Sequence, residues 1–248
     1  MVDVPLRHRN GPRKRRQHSP APAFWTRSLL WLAATIAVVI VIGGLFKVGL
    51  DAYHDHLVLT GLSDDPTPVS LAIGSEDLNI PGNMIRFAKT RGGGPVERAD
   101  LALHWPLLEG YSSALADAFR DGDAAAPVVY ASIALRDSPL DSTGRLDEVY
   151  ARFFVDKPLG GPAGLVGRRL SADSGYEGEV VYFAPSEPRP FVARCIAVST
   201  PEVPATCLRD INFGHGLSLL YRFNLDLLKD WRALDAGMQK LANGFLAH

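Results

Sequence analysis

The chain has 248 residues, 47% of them hydrophobic and 21% charged, with two cysteines and a formal net charge of −1. This is ordinary globular composition and excludes a disordered or fibrous protein. The near-zero charge hides a segregation: residues 1–27 carry Arg7, Arg9, Arg13, Lys14, Arg15, Arg16 and Arg27 against Asp3 alone, a balance of +6, and everything after Lys47 sums to −8.

Residues 28–46, SLLWLAATIAVVIVIGGLF, hold no charge. As a helix rising about 1.5 Å per residue they reach roughly 28 Å, close to the hydrocarbon thickness of a bilayer. Trp25 and Trp31 suit an aromatic anchor at one interface, and Lys47 can snorkel at the other. The basic region is long for a signal peptide and no A-x-A-like site follows the apolar run, so an uncleaved signal anchor is expected in preference to a cleaved leader or a core helix. The positive-inside bias then places the tail in the cytoplasm and the rest outside it. PRKRR at 12–16 reads as a topology signal in contact with anionic lipid, not as a nucleic-acid patch.

The expected organisation is a basic cytoplasmic tail (1–27), a transmembrane anchor (28–47), a juxtamembrane linker rich in turn formers and acids (48–67), and an exported domain (68–248). In that domain VSLAIGSEDLNIP predicts a hairpin and NMIRFA a third strand. ADLALHWP alternates with period two, a strand with Leu101, Leu103 and Trp105 inward and His104 on the wetter face. SSALADAFRDGD predicts a short helix with Ser112 or Ser113 as cap, and PVVYASIALRD a strand. In DSTGRLDEVYARFFV, Leu146, Val149, Tyr150 and Phe153 share a helical face, with Asp141 or Ser142 available as cap.

Five short runs follow, LVGRRL, EVVYFA, PFVARCIAV, CLRDINF and LSLLYRF, joined by turn material too short for parallel crossovers. An antiparallel meander is expected. Leu227, Trp231, Leu234, Met238, Leu241 and Phe245 then recur at spacings of four and three, an amphipathic helix capped by Asn224 whose stripe covers the sheet. The fold class is α+β, a mainly antiparallel sheet with two or three packed helices.

Cys195 and Cys207 flank the loop between two of these strands. In an oxidising compartment, opposed strand residues are close enough for a structural disulfide; two free buried thiols are the alternative. A zinc site lacks further ligands, since His215 stands alone nearby, and eleven intervening residues are not a C-x-x-C redox motif.

Chemistry is sparse. His54 and His56 in DAYHDH point apart if helical, DGD at 121–123 reads as a helix end, and GGPAGLVG at 160–167 reads as a loop and not a phosphate cradle. Neither G-x-S-x-G nor H-E-x-x-H occurs. No catalytic residue, metal ligand or cofactor is assigned. A weak recognition surface is drawn from HWPLLEGYS and its surroundings: His104, Trp105, Glu109, Tyr111 and His215.

The basic tail, single span, LNIPGNMIRF, DLALHWPLLEGYS, and GLSLLYRF before a Trp-containing terminal helix resemble a group of single-pass, membrane-anchored envelope proteins of Gram-negative bacteria. That group has no assigned activity, so no catalytic residue carries over. The resemblance implies an inner-membrane protein with a periplasmic domain. Its expected partners are the lipid bilayer and an envelope protein or cell-wall component, with no nucleic acid. A non-catalytic binding or envelope-assembly module is expected; the alternative is an exported hydrolase of cell-wall or glycan bonds.

Overall fold

The computed structural model describes residues 31–32, 36–47, 61–120, 127–198 and 204–247. Two compact units divide the chain, Met1–Tyr53 and His54–His248. In the first, residues 31–32 and 36–47 are helical (α1). Val38, Val39, Ile40, Val41 and Ile42 are consecutive and all exposed, so the apolar surface runs right round this helix. Among the described residues, no helix is long and apolar enough to cross a membrane. The basic tail, positions 28–30 and 33–35 of the expected span, DAYHDH and DGD lie outside the described residues.

The second unit opens with the expected hairpin, β1 (Pro68–Ile73) and β2 (Glu76–Pro81), turning at Gly74 with φ +63°. A two-residue connection of this kind favours glycine where φ is positive. Residues 61–67, read as linker, are bonded to the domain: Arg91 Nη1 donates to Gly61 O (2.7 Å), Ser113 Oγ to Asp64, and Gly82 N to Thr67 O (3.0 Å). The third strand expected at NMIRFA does not form. Gly82–Met84 is a 3-10 turn, and Ile85 makes only an isolated bridge to Leu101. Its place beside β1 is taken by the short parallel strand β3 (Gly94–Pro95).

The larger sheet has eight strands in the order β4-β5-β11-β10-β9-β8-β7-β6, every pairing antiparallel. β4 (Arg98–His104) and β5 (Val128–Leu135) pair, with the 3-10 turn Ser113–Leu115 and α2 (Ala116–Arg120) between them in sequence. The chain next crosses to the far edge through α3 (Arg145–Glu148) and the 3-10 turn Tyr150–Phe153, a broken helix where a continuous one was expected. Asp141 supplies the expected capping bond by accepting from Gly144 N at 2.9 Å. From there the meander returns strand by strand until β11 closes on β5.

The meander starts one strand earlier than expected, with β6 (Phe154–Gly160). Its Pro158, Asp156 at φ +60° and register shift between Val155 and Leu159 belong to an edge strand, where a missing N–H and a bulge are tolerated and discourage further pairing. β7 (Val166–Leu170), β8 (Glu179–Phe183), β9 (Val192–Ile196), β10 (Thr206–Phe213) and β11 (Leu217–Asn224) are the five expected runs.

Asn224 Oδ1 caps the 3-10 turn Leu225–Asp230 by accepting from Asp226 N (2.8 Å), and the turn leads into α4 (Trp231–Phe245). Leu227, Trp231, Leu234, Met238 and Phe245 are buried in one cluster that also takes Leu71, Ile73, Leu78 and Ile80 from the small sheet and Tyr221 and Phe223 from β11. One face of the large sheet thus packs on α4 and the small sheet. The opposite face is covered at two places. Leu146 and Tyr150 pack on Leu170, Val181 and Val192 at one end, and Phe119 packs on Ala102 and Val128 at the other. After α4, Leu246 bridges Leu78 and Ala247 N donates to Asp77 O (2.9 Å), so the chain end protects the β2 edge.

Cys195 and Cys207 are directly opposed in the β9–β10 ladder and form a disulfide, with Cα atoms 4.0 Å apart and both residues fully buried.

Candidate functional site

The segment 104–112 is a projecting turn clamped at both ends. His104 N donates to Glu109 O (2.8 Å) and Trp105 N to Pro127 O (2.7 Å), closing the chain around a cis Trp105–Pro106 peptide. Leu108 adopts φ +54°, a region that disfavours a side chain, yet it is buried against α4. Gly237 makes that possible: a Cβ there would stand 2.8 Å from Leu108 Cδ1. Gly110 is equally constrained, since a Cβ would lie 2.5 Å from the Asn83 carbonyl carbon. The two strands of chain are stitched there by Tyr111 N to Asn83 O (2.8 Å) and Asn83 Nδ2 to Tyr111 O (3.2 Å).

The turn brings four of the five expected recognition residues together. His104 Nδ1 stands 3.8 Å from Glu109 Oε1, too far for a hydrogen bond, and is buried with no hydrogen-bond partner among the described residues. Tyr111 meets Phe119 edge-on at 5.5 Å, His104 lies 6.4 Å from the same ring, and Trp105 packs against the main core. His215 is elsewhere. The register pairs His104 with Val128 but Leu217 with Leu135, at opposite ends of β5. His215 instead meets Glu76, with Nδ1–Oε1 at 2.9 Å and backbone N–Oε1 at 2.6 Å, its ring 93% exposed. The two histidines therefore cannot act on one substrate atom as an acid/base pair. Among the described residues no cluster of three or more His, Cys, Asp or Glu side chains is placed to hold a metal ion.

On its other side the turn walls an apolar groove of about 490 Å³ with α4 and the small sheet. Pro68, Pro81, Met84, Leu107, Leu108, Leu241 and Phe245 line it, with Asn79 and Lys240 as its polar members. Leu107 is 75% exposed at the rim. Lys240 has no acidic partner among the described residues.

The α4 wall of this groove is tied to the sheet by a buried ionic network that the sequence did not announce. Arg209 Nε and Nη2 donate to Asp235 Oδ1 (2.8 Å) and Oδ2 (3.2 Å), Tyr221 Oη to Oδ1 (2.8 Å), and Gln239 Nε2 to Oδ2 (2.9 Å). The remaining Arg209 nitrogen reaches Val192 O (3.1 Å), and the guanidinium stacks 4.8 Å over Phe191. Burial alone would lower the Arg209 pKa, but the Tyr221 and Asp235 oxygens outweigh it and the net direction is up. Burial pushes the Tyr221 phenol well above its usual value, against the opposing pull of Arg209. At neutral pH the phenol is uncharged, which leaves the Asp235 carboxylate as the counter-ion. On the opposite face of β10, Asp210 accepts from Ser142 Oγ (2.6 Å) and pairs with Arg145.

The signal for both networks is a charged pair, Arg209-Asp210, inside the apolar alternation of CLRDINF, and an acid, Asp235, beside the apolar stripe of α4. A charge at an inward position demands a partner. Each residue nevertheless reads as an ordinary surface charge until strand and helix are brought together.

No family model matches the chain, and no curated protein matches it. Two solved structures are similar to this chain. Smlt3025, an immunity protein of the Stenotrophomonas maltophilia type IV secretion system, superposes with a TM-score of 0.52 at 15% identity over 74% of this chain and 94% of that one. The Neisseria meningitidis iron-regulated outer membrane lipoprotein FrpD gives a TM-score of 0.46 at 12% identity over 75% and 95%. At these identities the likeness to Smlt3025 is one of fold, and it takes in nearly the whole of that chain.

Proposed function

We propose that the C-terminal domain is an extracytoplasmic binding module, held at the inner membrane by residues 28–47 with the basic tail in the cytoplasm. It recognises an envelope protein through the groove beside Pro106–Leu108. The groove carries this reading. Its walls are apolar, its supports are fixed by the His104–Glu109 clamp and the Arg209–Asp235 network, and one cation among the described residues, Lys240, stands in it. A partner segment with apolar side chains and one acidic residue matches that lining in both hydrophobicity and charge.

Location outside the cytoplasm is supported by the buried Cys195–Cys207 disulfide, which oxidising compartments favour. The anchor is supported by the all-round apolar surface of α1.

Photo-cross-linking tests the reading. A Leu107→p-benzoyl-phenylalanine variant of the full chain, irradiated in native membranes, is expected to yield a discrete adduct with an envelope protein. The adduct should weaken in Lys240→Glu and be absent when the probe replaces Tyr176, an exposed residue outside the groove. Equal adducts from both positions, or none, would contradict it. His104→Ala and His215→Ala are expected to leave the cellular phenotype intact; loss of function in a folded variant would count against a non-catalytic role.

A further inference from the structure

Between its two covers the outer face of the large sheet is open at β5 and β11, where Leu220 is 44% exposed and Arg222 stands in solvent. Tyr130 lies directly beside Arg222 in the β5–β11 register and beside Ala102 in the β4–β5 register. Two guanidiniums converge on its ring: Arg86 Cζ is 5.0 Å and Arg222 Cζ 5.4 Å from the centroid. Some arginines of this domain, among them Arg98, Arg145, Arg194 and Arg209, have a carboxylate partner, and others, such as Arg136 and Arg169, have none among the described residues. Arg86 and Arg222 have none among the described residues, and the Tyr130 hydroxyl makes no hydrogen bond.

Two like charges gathered on one ring repel each other, and at an exposed site the ring's quadrupole offsets only part of that repulsion. The arrangement is three donors without an acceptor. An anion placed over it would accept from both guanidiniums and the phenol and would relieve the repulsion. Beside these donors is a small pocket of about 180 Å³ lined by Leu62, Phe87, Ala102 and Phe119.

The geometry points to Arg86, Tyr130 and Arg222 as a docking point for a carboxylate in an acidic segment of a partner protein, with a neighbouring aliphatic side chain of that segment entering the adjoining pocket. Charge complementarity selects the acid. The apolar pocket and the exposed Leu220 select a peptide over a free inorganic anion, which has nothing to put there. The inference rests on the reading of the domain as a binding module and supplies a second, charge-selective element on a different face from the apolar groove.

The test uses the full chain in detergent micelles and fluorescently labelled peptides, acetyl-Glu-Leu-Glu-Leu-Glu against acetyl-Gln-Leu-Gln-Leu-Gln. The Glu peptide is expected to bind about ten-fold or more tightly than the Gln peptide, and to lose about as much in Arg86→Gln/Arg222→Gln or when salt rises from about 50 to about 500 mM. Both substitutions lie on the surface, and an unchanged unfolding midpoint would show that the variant is folded. Equal binding of the two peptides, no loss in the double variant, or displacement of the Glu peptide by inorganic phosphate at matched concentration would overturn the proposal. If the Leu107 adduct forms while the peptides do not discriminate, only the present inference fails; if the adduct is also missing, the binding role falls with it.

Discussion

Removing Asp235 tests whether the packing of α4 depends on one buried ion pair. Arg209 is 4% exposed and gives two hydrogen bonds to Asp235, so Asp235→Ala leaves a guanidinium in the interior with no counter-charge and the Tyr221 hydroxyl with no acceptor. Breaking a buried pair from one side costs about 3–5 kcal/mol, a large part of the roughly 5–15 kcal/mol that holds a domain folded. The cost belongs mainly to the stranded charge. Replacing the group by apolar residues, Arg209→Met/Asp235→Leu/Tyr221→Phe, removes the charge and the orphan hydroxyl together; it leaves Val192 O and Thr143 Oγ1 each short of one donor and frees the exposed Gln239 amide to water, a loss of about 1–3 kcal/mol. The triple variant is therefore expected to be more stable than Asp235→Ala alone. Urea unfolding of the full chain in micelles, followed by tryptophan fluorescence, reads the order directly, because Trp231 packs 4.9 Å from Phe191 beside the network. A triple variant less stable than the single one would refute the reasoning.

Three further outcomes follow from the same structure. The Tyr221 phenol releases its proton at about pH 10 when unfolded and only at higher pH when folded. Above about pH 10 the unfolded state thus holds fewer protons and stability falls as pH rises; Tyr221→Phe should flatten that alkaline slope in unfolding curves taken at successive pH values. Gly110→Ala forces a Cβ to 2.6 Å from Asn83 O and should cost about 1–3 kcal/mol by urea titration while abolishing the Leu107 adduct; an unchanged midpoint would show that the turn is loosely held. Cys195→Ala/Cys207→Ala should lower stability by about 3 kcal/mol, the loop-closure value for a separation of 12 residues, and a midpoint equal to that of the unreduced parent would contradict a structural role.

The architecture was largely legible because most of it rests on local periodicity. The stripe from Leu227 to Phe245 announced α4, and five alternating runs announced β7 to β11. β6 was not legible: Phe153 and Phe154 extend the apolar face of the preceding turn, and Pro158 and Asp156 argue against a strand unless the segment is known to sit at an edge. NMIRFA misled in the opposite sense, since Ile85 is buried and Met84 half-buried, yet the segment meets β4 at the single Ile85–Leu101 bridge and forms no ladder. At the candidate site, HWPLLEGYS stood out by composition and is indeed a clamped turn. The groove could not be read, because its opposite wall, Gly237 to Phe245, is more than a hundred residues away in sequence. The same separation hid the pairing of Arg86 with Arg222 across Tyr130.

The reading of an extracytoplasmic module depends first on which side of the membrane the domain occupies. Its most direct test is a thiol count on Cys195 and Cys207 in freshly acid-quenched cells, using a mass-shifting alkylating reagent on the denatured full chain with and without prior reduction. Neither thiol is expected to react until the monomeric chain is reduced, after which both do. Free reaction of both thiols without reductant would contradict that reading.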